Sequence, residues 1–469
     1  MDADWLSLVP FLVVIPIAIF TKQVLPGIFI GLIVGSYIIN PSLIGGVETM
    51  LTYLVTALVD KNNIKIIVFL YVFSGLVGMI KVAGGIKGFV EAASERVDTK
   101  KEAILLTYVS TIGTFSAPSF RFVTIGPIMR ALLKRVNMTK KELAFVIETT
   151  TTPIIVLIPI ATAFVGYMVS VIELGLHNQK IEGDPYSLFI QSIPFNFFAI
   201  VIFLVGLYLS FFHRSSDGDQ KQESPKKEEE DDDWHNCDPA VSLDLPSKPF
   251  NLLIPLFLVI ALTLVLTWWD GHQKGFGLFK AFIKANVLDA MVIALLITTF
   301  LTFVFFLFQR FELKMMIDSF VFGGNNLMAV ILLLSIIWGL ASVTEDLGFS
   351  TFITEHAGWI PPLFVPPILF LFGSAVAYFI GSAWGTWGIL MPLGISMAAL
   401  ADVSLPLVIG AVFASGTFGS FASPLSDDTN TISRILNLQV MEYARFKLKA
   451  ALIAVGISSI LYGAITFVL

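Results

Sequence analysis

Residues 421–433 read FASPLSDDTNTIS and close one of the most apolar stretches of this 469-residue chain. Two adjacent carboxylates, Asp427 and Asp428, follow a proline and stand among the hydroxyls of Ser423, Ser426 and Thr429. Hard cations take oxygen ligands. Pro424 removes a backbone donor and clashes with the turn before it, which frees carbonyl oxygens for the same use. An ionisable group inside an apolar span is costly to place there and is functional by default. The same residues also suit a helix N-cap at the membrane surface. Adjacent residues on a helix diverge by about 100°, so one aspartate can face an ion while the other caps. Asp427 lies nearer the break and is the expected ion and proton carboxylate; Asp428 is the expected cap.

A second cluster lies in YFIGSAWGTWGILMPLG, residues 378–394. Gly381, Gly385 and Gly388 interrupt an apolar run and let backbone approach an ion closely, and Ser382 and Thr386 add hydroxyls. Small residues also serve plain helix packing in membranes, and this alternative stays open. The first half of the chain carries a different set. FSAPSFRFVTIGP (115–127) places Arg121 after a small-residue turn, and VIETTTTPIIVLIP (146–159) places Glu148 before four threonines, Pro153 and Pro159. Arg121 and Glu148 could form a structural ion pair. Alternatively Arg121 binds a substrate carboxylate, which its planar fork fits.

The elements that must hold these residues are membrane helices. The chain is 56% hydrophobic and 14% charged, against about 45–50% and 25% for soluble domains. Runs such as 187–212, 249–269, 287–309 and 446–468 approach the roughly 20 apolar residues that cross a bilayer. The acidic N-terminus MDADWLSLVP lacks the basic region of a cleaved signal peptide. A single cysteine, Cys237, excludes an intrachain disulfide. No phosphate-cradling GxxxxGK[ST] loop occurs. With no nucleophile–base pair and no His/Cys metal cluster, neither enzyme activity nor a cofactor is expected. The only metal expected is a transported Na+.

Residues 214–247 break the apolar pattern with a block of six acids at 228–233. Such a segment buries too little apolar surface to fold alone and reads as an acidic, disordered cytoplasmic linker. Three parts follow: a first membrane repeat at 1–213, the linker at 214–247, and a second membrane repeat at 248–469. The repeats show in the sequence. Gly75-Leu76 falls on Gly339-Leu340 and Gly84 on Gly348, at an offset of 264; Pro127 falls on Pro392 and Pro159 on Pro424, at 265. On this frame Asp427 and Asp428 align with Thr162 and Ala163, so the halves share spacing but not charge.

Predicted spans are 5–20, 25–40, 64–83, 142–172 and 187–212 in the first half, and 249–269, 287–309, 325–344, 405–432 and 446–468 in the second. The interrupted regions 102–134 and 363–400 read as re-entrant hairpins, turning at TFSAPS (114–119) and GSAWGT (381–386), because irregular backbone at membrane depth needs protein or water around it. The fold class expected is therefore an all-α polytopic membrane protein. It has two inverted-topology repeats of five transmembrane helices, each with a hairpin and a broken helix. Secondary transporters use this design, with sites near the midplane. With the N-terminus outside, fifteen Lys and Arg residues fall in inside loops, Lys447 among them, and six fall outside, as the positive-inside rule requires. Both termini would then lie outside and the linker in the cytoplasm.

The chain resembles the NhaC-type sodium/proton antiporters, within a wider ion transporter superfamily. The resemblance rests on GSAWGTWGILMPLG, SPLSDDTNTIS and the paired halves, and it covers nearly all of the chain outside the linker. It implies exchange of Na+ for H+ across the cell membrane by alternating access. Asp427 would be the shared carboxylate, with Ser382, Thr386 and Ser423 near it. A homodimer is implied on the same ground. The partners expected are the ions and the lipid bilayer, with no nucleic acid. The wider group also includes carriers of small organic acids and amino acids, some exchanging malate for lactate. Asp428, Asn430 and Arg121 depart from the pattern of a pure cation exchanger and keep this alternative open.

Overall fold

The computed structural model describes residues 5–468 apart from 86, 89–96, 98, 115–117, 119–120, 123–124, 127–128, 131–132, 134–137, 161, 213–247, 278–280, 282–284 and 357–359. The predicted linker lies outside the described residues, as does most of the first hairpin turn, of which Thr114 and Pro118 are described.

The chain is all-helical among the described residues. Its first half holds α1 (Val9–Thr21), α2 (Val24–Ile39), α3 (Leu43–Val59), α4 (Lys61–Val82), α5 (Lys100–Thr114), α6 (Lys140–Thr149), α7 (Thr152–Ile155), α8 (Ala163–Asn178), α9 (Pro185–Ser192) and α10 (Phe197–Phe212). Its second half holds α11 (Phe250–Gln273), α12 (Val287–Phe308), α13 (Leu313–Asn325), α14 (Met328–Asp346), α15 (Phe349–His356), α16 (Val365–Ile380), α17 (Ala383–Ala401), α18 (Leu405–Ala422), α19 (Asp427–Ile435) and α20 (Val440–Val468).

Among the described residues eight helical stretches are long and apolar enough to cross a membrane. They number up to nine if Pro185–Phe195 and Phe197–Phe211, bent by 41°, form one span. The 5–20 span is realised as a 3-10 turn (Trp5–Leu8) running into α1, which ends at Lys22 in the left-handed conformation, and the 25–40 span as the 16 residues of α2. α3 and α13 fall between the predicted spans and are helical too.

Helix starts recur between the halves. Val24 and Val287 are 263 residues apart, Lys100 and Val365 265, Lys140 and Leu405 265, and Ala163 and Asp427 264. Gly84 and Gly348, matched in the sequence, both take a left-handed conformation (φ 71° and 85°) after α4 and α14. That geometry costs glycine nothing and stops a helix cleanly.

The second hairpin is a pair of helices, α16 and α17, turning at Gly381 and Ser382. Its arms of 16 and 19 residues run about 24 and 28 Å at 1.5 Å per residue, longer than the short arms predicted. Gly385 is no break: α17 runs straight through it, and its missing side chain makes room for Val24 of α2.

The core lies where α4, α8, α14, α17 and α18 meet, and its large aromatics have satisfied donors. Trp338 Nε1 donates to Ser170 Oγ at 2.9 Å, Trp387 Nε1 to the Phe413 carbonyl at 3.0 Å, and Tyr167 Oη to the Trp384 carbonyl. The first and third of these bonds tie the first half to the second, and residues of both halves share this core.

Candidate functional site

Two broken helices build the site. In the first half, a reciprocal cap starts α6: Glu142 N–H donates to Thr139 Oγ1 and Thr139 N–H to a Glu142 carboxylate oxygen. Leu143 through Thr149 are then all buried. The helix ends at Thr149, four residues before Pro153, which has no N–H to give the Thr149 carbonyl. The buried turn is satisfied from within. Thr149, Thr150 and Thr151 donate their hydroxyls to the carbonyls of Phe145, Val146 and Ile147 at 2.8, 2.8 and 2.5 Å.

In the second half, α18 stops at Ala422 because Ser423 precedes Pro424 and is held extended (φ −71°, ψ 135°). Ser426 then caps α19 by accepting the Thr429 N–H at 3.2 Å. Thr162 caps α8 in the same way, accepting from Val165 N–H. The break recurs in both halves, and Pro159 and Pro424 both lie in non-helical backbone.

Four ionisable side chains are buried around these breaks: Arg121, Glu148 and Lys447 at 0% exposure and Asp428 at 7%. Glu148 Oε1 accepts from Lys447 Nζ at 2.5 Å, and Oε2 accepts from Tyr443 Oη at 2.5 Å. Lys447 Nζ also donates to Thr429 Oγ1 at 2.7 Å and stands 4.7 Å from the Tyr443 ring centre and 5.2 Å from that of Phe421. Thr429 has one hydroxyl proton, which it gives to the Ser423 carbonyl at 2.8 Å; its lone pairs face the ammonium and the Ser426 hydroxyl at 2.6 Å.

Arg121 uses all five of its N–H groups on neutral oxygens. Nε reaches Thr151 Oγ1, Nη1 reaches Ser110 Oγ and Thr114 Oγ1, and Nη2 reaches Thr150 Oγ1 and the Thr107 carbonyl, at 2.6–3.2 Å. Each of those hydroxyls donates to a carbonyl of its own helix and so turns a lone pair toward the guanidinium. Asp428 accepts from Ser420 Oγ at 2.9 Å and from Thr152 Oγ1. Five consecutive residues, 148–152, therefore touch every other buried charge: Glu148 meets Lys447, Thr150 and Thr151 meet Arg121, and Thr152 meets Asp428.

Two expectations change. Arg121 and Glu148 do not pair, because Lys447 takes the carboxylate and threonine and serine hydroxyls take the guanidinium. Among the described residues Arg121 has no ion pair. The two aspartates also exchange environments. Asp427 is exposed, in the first turn of α19, where the helix N-terminus favours negative charge. Asp428, one residue and about 100° further, points inward.

The remaining sequence-named oxygens serve local structure. Ser423 Oγ donates to the Tyr378 carbonyl at 2.6 Å, Ser382 caps α17 through the Gly385 N–H, and Thr386 Oγ1 donates to the Ser382 carbonyl at 2.8 Å. Gly381 still brings the α16–α17 turn onto the break. A Cβ there would sit 2.7 Å from the Leu425 backbone carbonyl carbon.

Lys447 and Tyr443 are not among the site residues expected from sequence, where Lys447 stands only as an inside-loop charge. Their spacing carried a signal. Tyr443, Lys447, Ala451 and Ala454 repeat at helical intervals and are buried, whereas Arg445 and Lys449 lie off that face and are exposed. Among the described residues no group of three or more His, Cys, Asp or Glu side chains is placed to hold a metal ion.

The sequence pattern of the Na+/H+ antiporter family matches residues 161–467. The chain belongs to the Na+/H+ antiporter family. The family match covers α19, α20 and the whole second hairpin, so it contains Asp428, Tyr443 and Lys447 but not Glu148 or Arg121. An uncharacterized protein of Haemophilus influenzae is 26% identical over 443 residues, 90% of this chain and 83% of that one. The malate-2H+/Na+-lactate antiporter of Bacillus subtilis is 29% identical over 190 residues, 37% of this chain and 38% of that one. In fold, this antiporter-family chain is similar to MtrF of Neisseria gonorrhoeae, of a class of antimetabolite efflux pumps (TM-score 0.66, 12% identity, covering 90% and 85% of the two chains). It is also similar to the YdaH transporter of Alcanivorax borkumensis, which has an unusual topology (TM-score 0.55, 12% identity, 89% and 88%). The chain is thus a multi-pass membrane protein of a transporter family.

Proposed function

We propose that this protein is a secondary active transporter that exchanges Na+ for H+ across the cell membrane by alternating access. The observation that supports it is the set of four buried ionisable groups at two facing helix breaks. Charges inside a membrane protein are rare and mark ion or proton paths. Asp428 is the exchanging carboxylate in this reading. It is one negative charge that either a proton or a cation neutralises, with Ser420 and Thr152 as neighbouring oxygens; Asp427 stands at the aqueous mouth. One site and two competing ions suffice for exchange if the site is open to one side at a time. The halves are inverted relative to each other, both termini lie outside, and the protein is a homodimer; the recurring helix starts and the lysine and arginine distribution support the first two.

Asp428→Asn is expected to abolish Na+-driven proton movement in everted vesicles, whereas Asp427→Asn retains at least about a third of it. The loss follows because an amide takes neither ion's place on a carboxylate. Equal activity of Asp428→Asn and wild type at equal protein amount would remove Asp428 from the mechanism.

A second reading is supported by Arg121, a buried guanidinium with no ion-paired partner among the described residues, and by the relative named for malate and lactate exchange. Here the protein is a cation-coupled carrier of a small carboxylate. It requires Arg121 to leave its hydroxyl cage when substrate arrives. Arg121→Gln then ablates carboxylate uptake, and wild type shows no bare Na+/H+ exchange.

A further inference from the structure

The geometry points to Lys447 as a built-in cation. Its ammonium occupies a seat made by Glu148 and Thr429 that a transported cation enters only when Lys447 gives that seat up. This rests on the ion-path reading of the same buried centre and adds a residue and a competition to it. The seat has the chemistry of a hard-cation site: a carboxylate oxygen at 2.5 Å and a hydroxyl oxygen at 2.7 Å from Nζ. The Ser423 carbonyl lies one bond further, on Thr429 Oγ1. The charged and titratable groups that face Nζ are Glu148 from α6, Tyr443 on α20 itself and Asp428 from α19; α18 presents only the Phe421 ring. The pair also joins the halves, since Glu148 precedes the first break and Lys447 rides the last helix.

A purely structural anchor has no need of a full charge pair at this depth, where the desolvation cost rivals the attraction. A tethered competitor does. When Na+ takes Glu148, Lys447 loses its proton to water and becomes a neutral amine. When Na+ leaves, the proton returns. Charge is conserved, and one proton is released for each Na+ seated there.

The test uses purified full-length protein in unbuffered detergent and in proteoliposomes, with NaCl as the probe. Lys447→Met leaves Glu148 an open seat. Its half-saturating Na+ concentration is expected to fall at least about tenfold, because a tethered rival acts at millimolar or higher effective concentration, and it should release one proton fewer per Na+. Unchanged half-saturation and proton number overturn the inference. The double variant Glu148→Gln/Lys447→Met removes both charges together and guards against misfolding of the single variant. Loss of Na+-triggered proton release in the folded double variant, or a smaller release than wild type, supports the seat; release equal to wild type overturns it. Absence of Na+-driven proton movement in wild type is a separate result, and it overturns the functional reading itself.

Discussion

Asp428 and Glu148 are both buried carboxylates, yet their partners give them different roles. Among the described residues Asp428 has only hydroxyl donors, so its charge is open to a proton or a cation. Glu148 already holds an ammonium and a phenol. Glu148→Gln strands the Lys447 charge in an apolar setting, and breaking a buried pair on one side costs about 3–5 kcal/mol. The thermal midpoint of the detergent-solubilised protein should therefore fall clearly, and adding Lys447→Met should restore most of it. A midpoint unchanged by Glu148→Gln would mean the pair is not formed. Much of this was legible at the residue level, for the SPLSDDT and ETTTTP stretches stand out by chemistry alone. The choice between Asp427 and Asp428 was not, because it depends on where α19 starts. Ser426 rather than an aspartate takes the cap, which turns the second carboxylate inward. Lys447 was invisible as a site because a lysine near a predicted span end reads first as an interfacial charge.

At the scale of the helices, the breaks and the α16–α17 turn work as one assembly. Gly381 holds φ at 74° and leaves no space for a Cβ against Leu425. Gly381→Ala faces the left-handed penalty of roughly 1–2 kcal/mol as well as a clash with backbone, so the turn must lift from the 423–426 break. Transport in vesicles should drop several-fold at unchanged membrane protein level; wild-type transport would mean that the contact is incidental. Ser426→Ala should weaken the α19 start by about 1 kcal/mol, read as faster amide exchange across 427–431. The proline-marked breaks and the glycine turn were readable because each residue has one strong backbone preference. The pieces α3 and α13 were not. Their polar and glycine residues hide them from a search for long apolar runs, although tertiary packing holds them as helices.

For the whole molecule, helix starts recur between the halves and cross-half bonds build a shared core. The orientation proposed above makes a simple topological prediction. The one cysteine, Cys237, should react in intact cells with a membrane-permeant maleimide and not with an impermeant one, since the linker is expected to be cytoplasmic. Labelling by the impermeant reagent from outside would reverse the orientation. The central claim is the ion exchange itself, and proton flux in proteoliposomes of the purified protein, driven by a panel of Na+, Li+, K+ and small carboxylates, tests it most directly. The account predicts proton movement that requires a Na+ gradient, needs no carboxylate and disappears in Asp428→Asn. Proton movement only when a carboxylate is supplied, with none on Na+ alone, would contradict it.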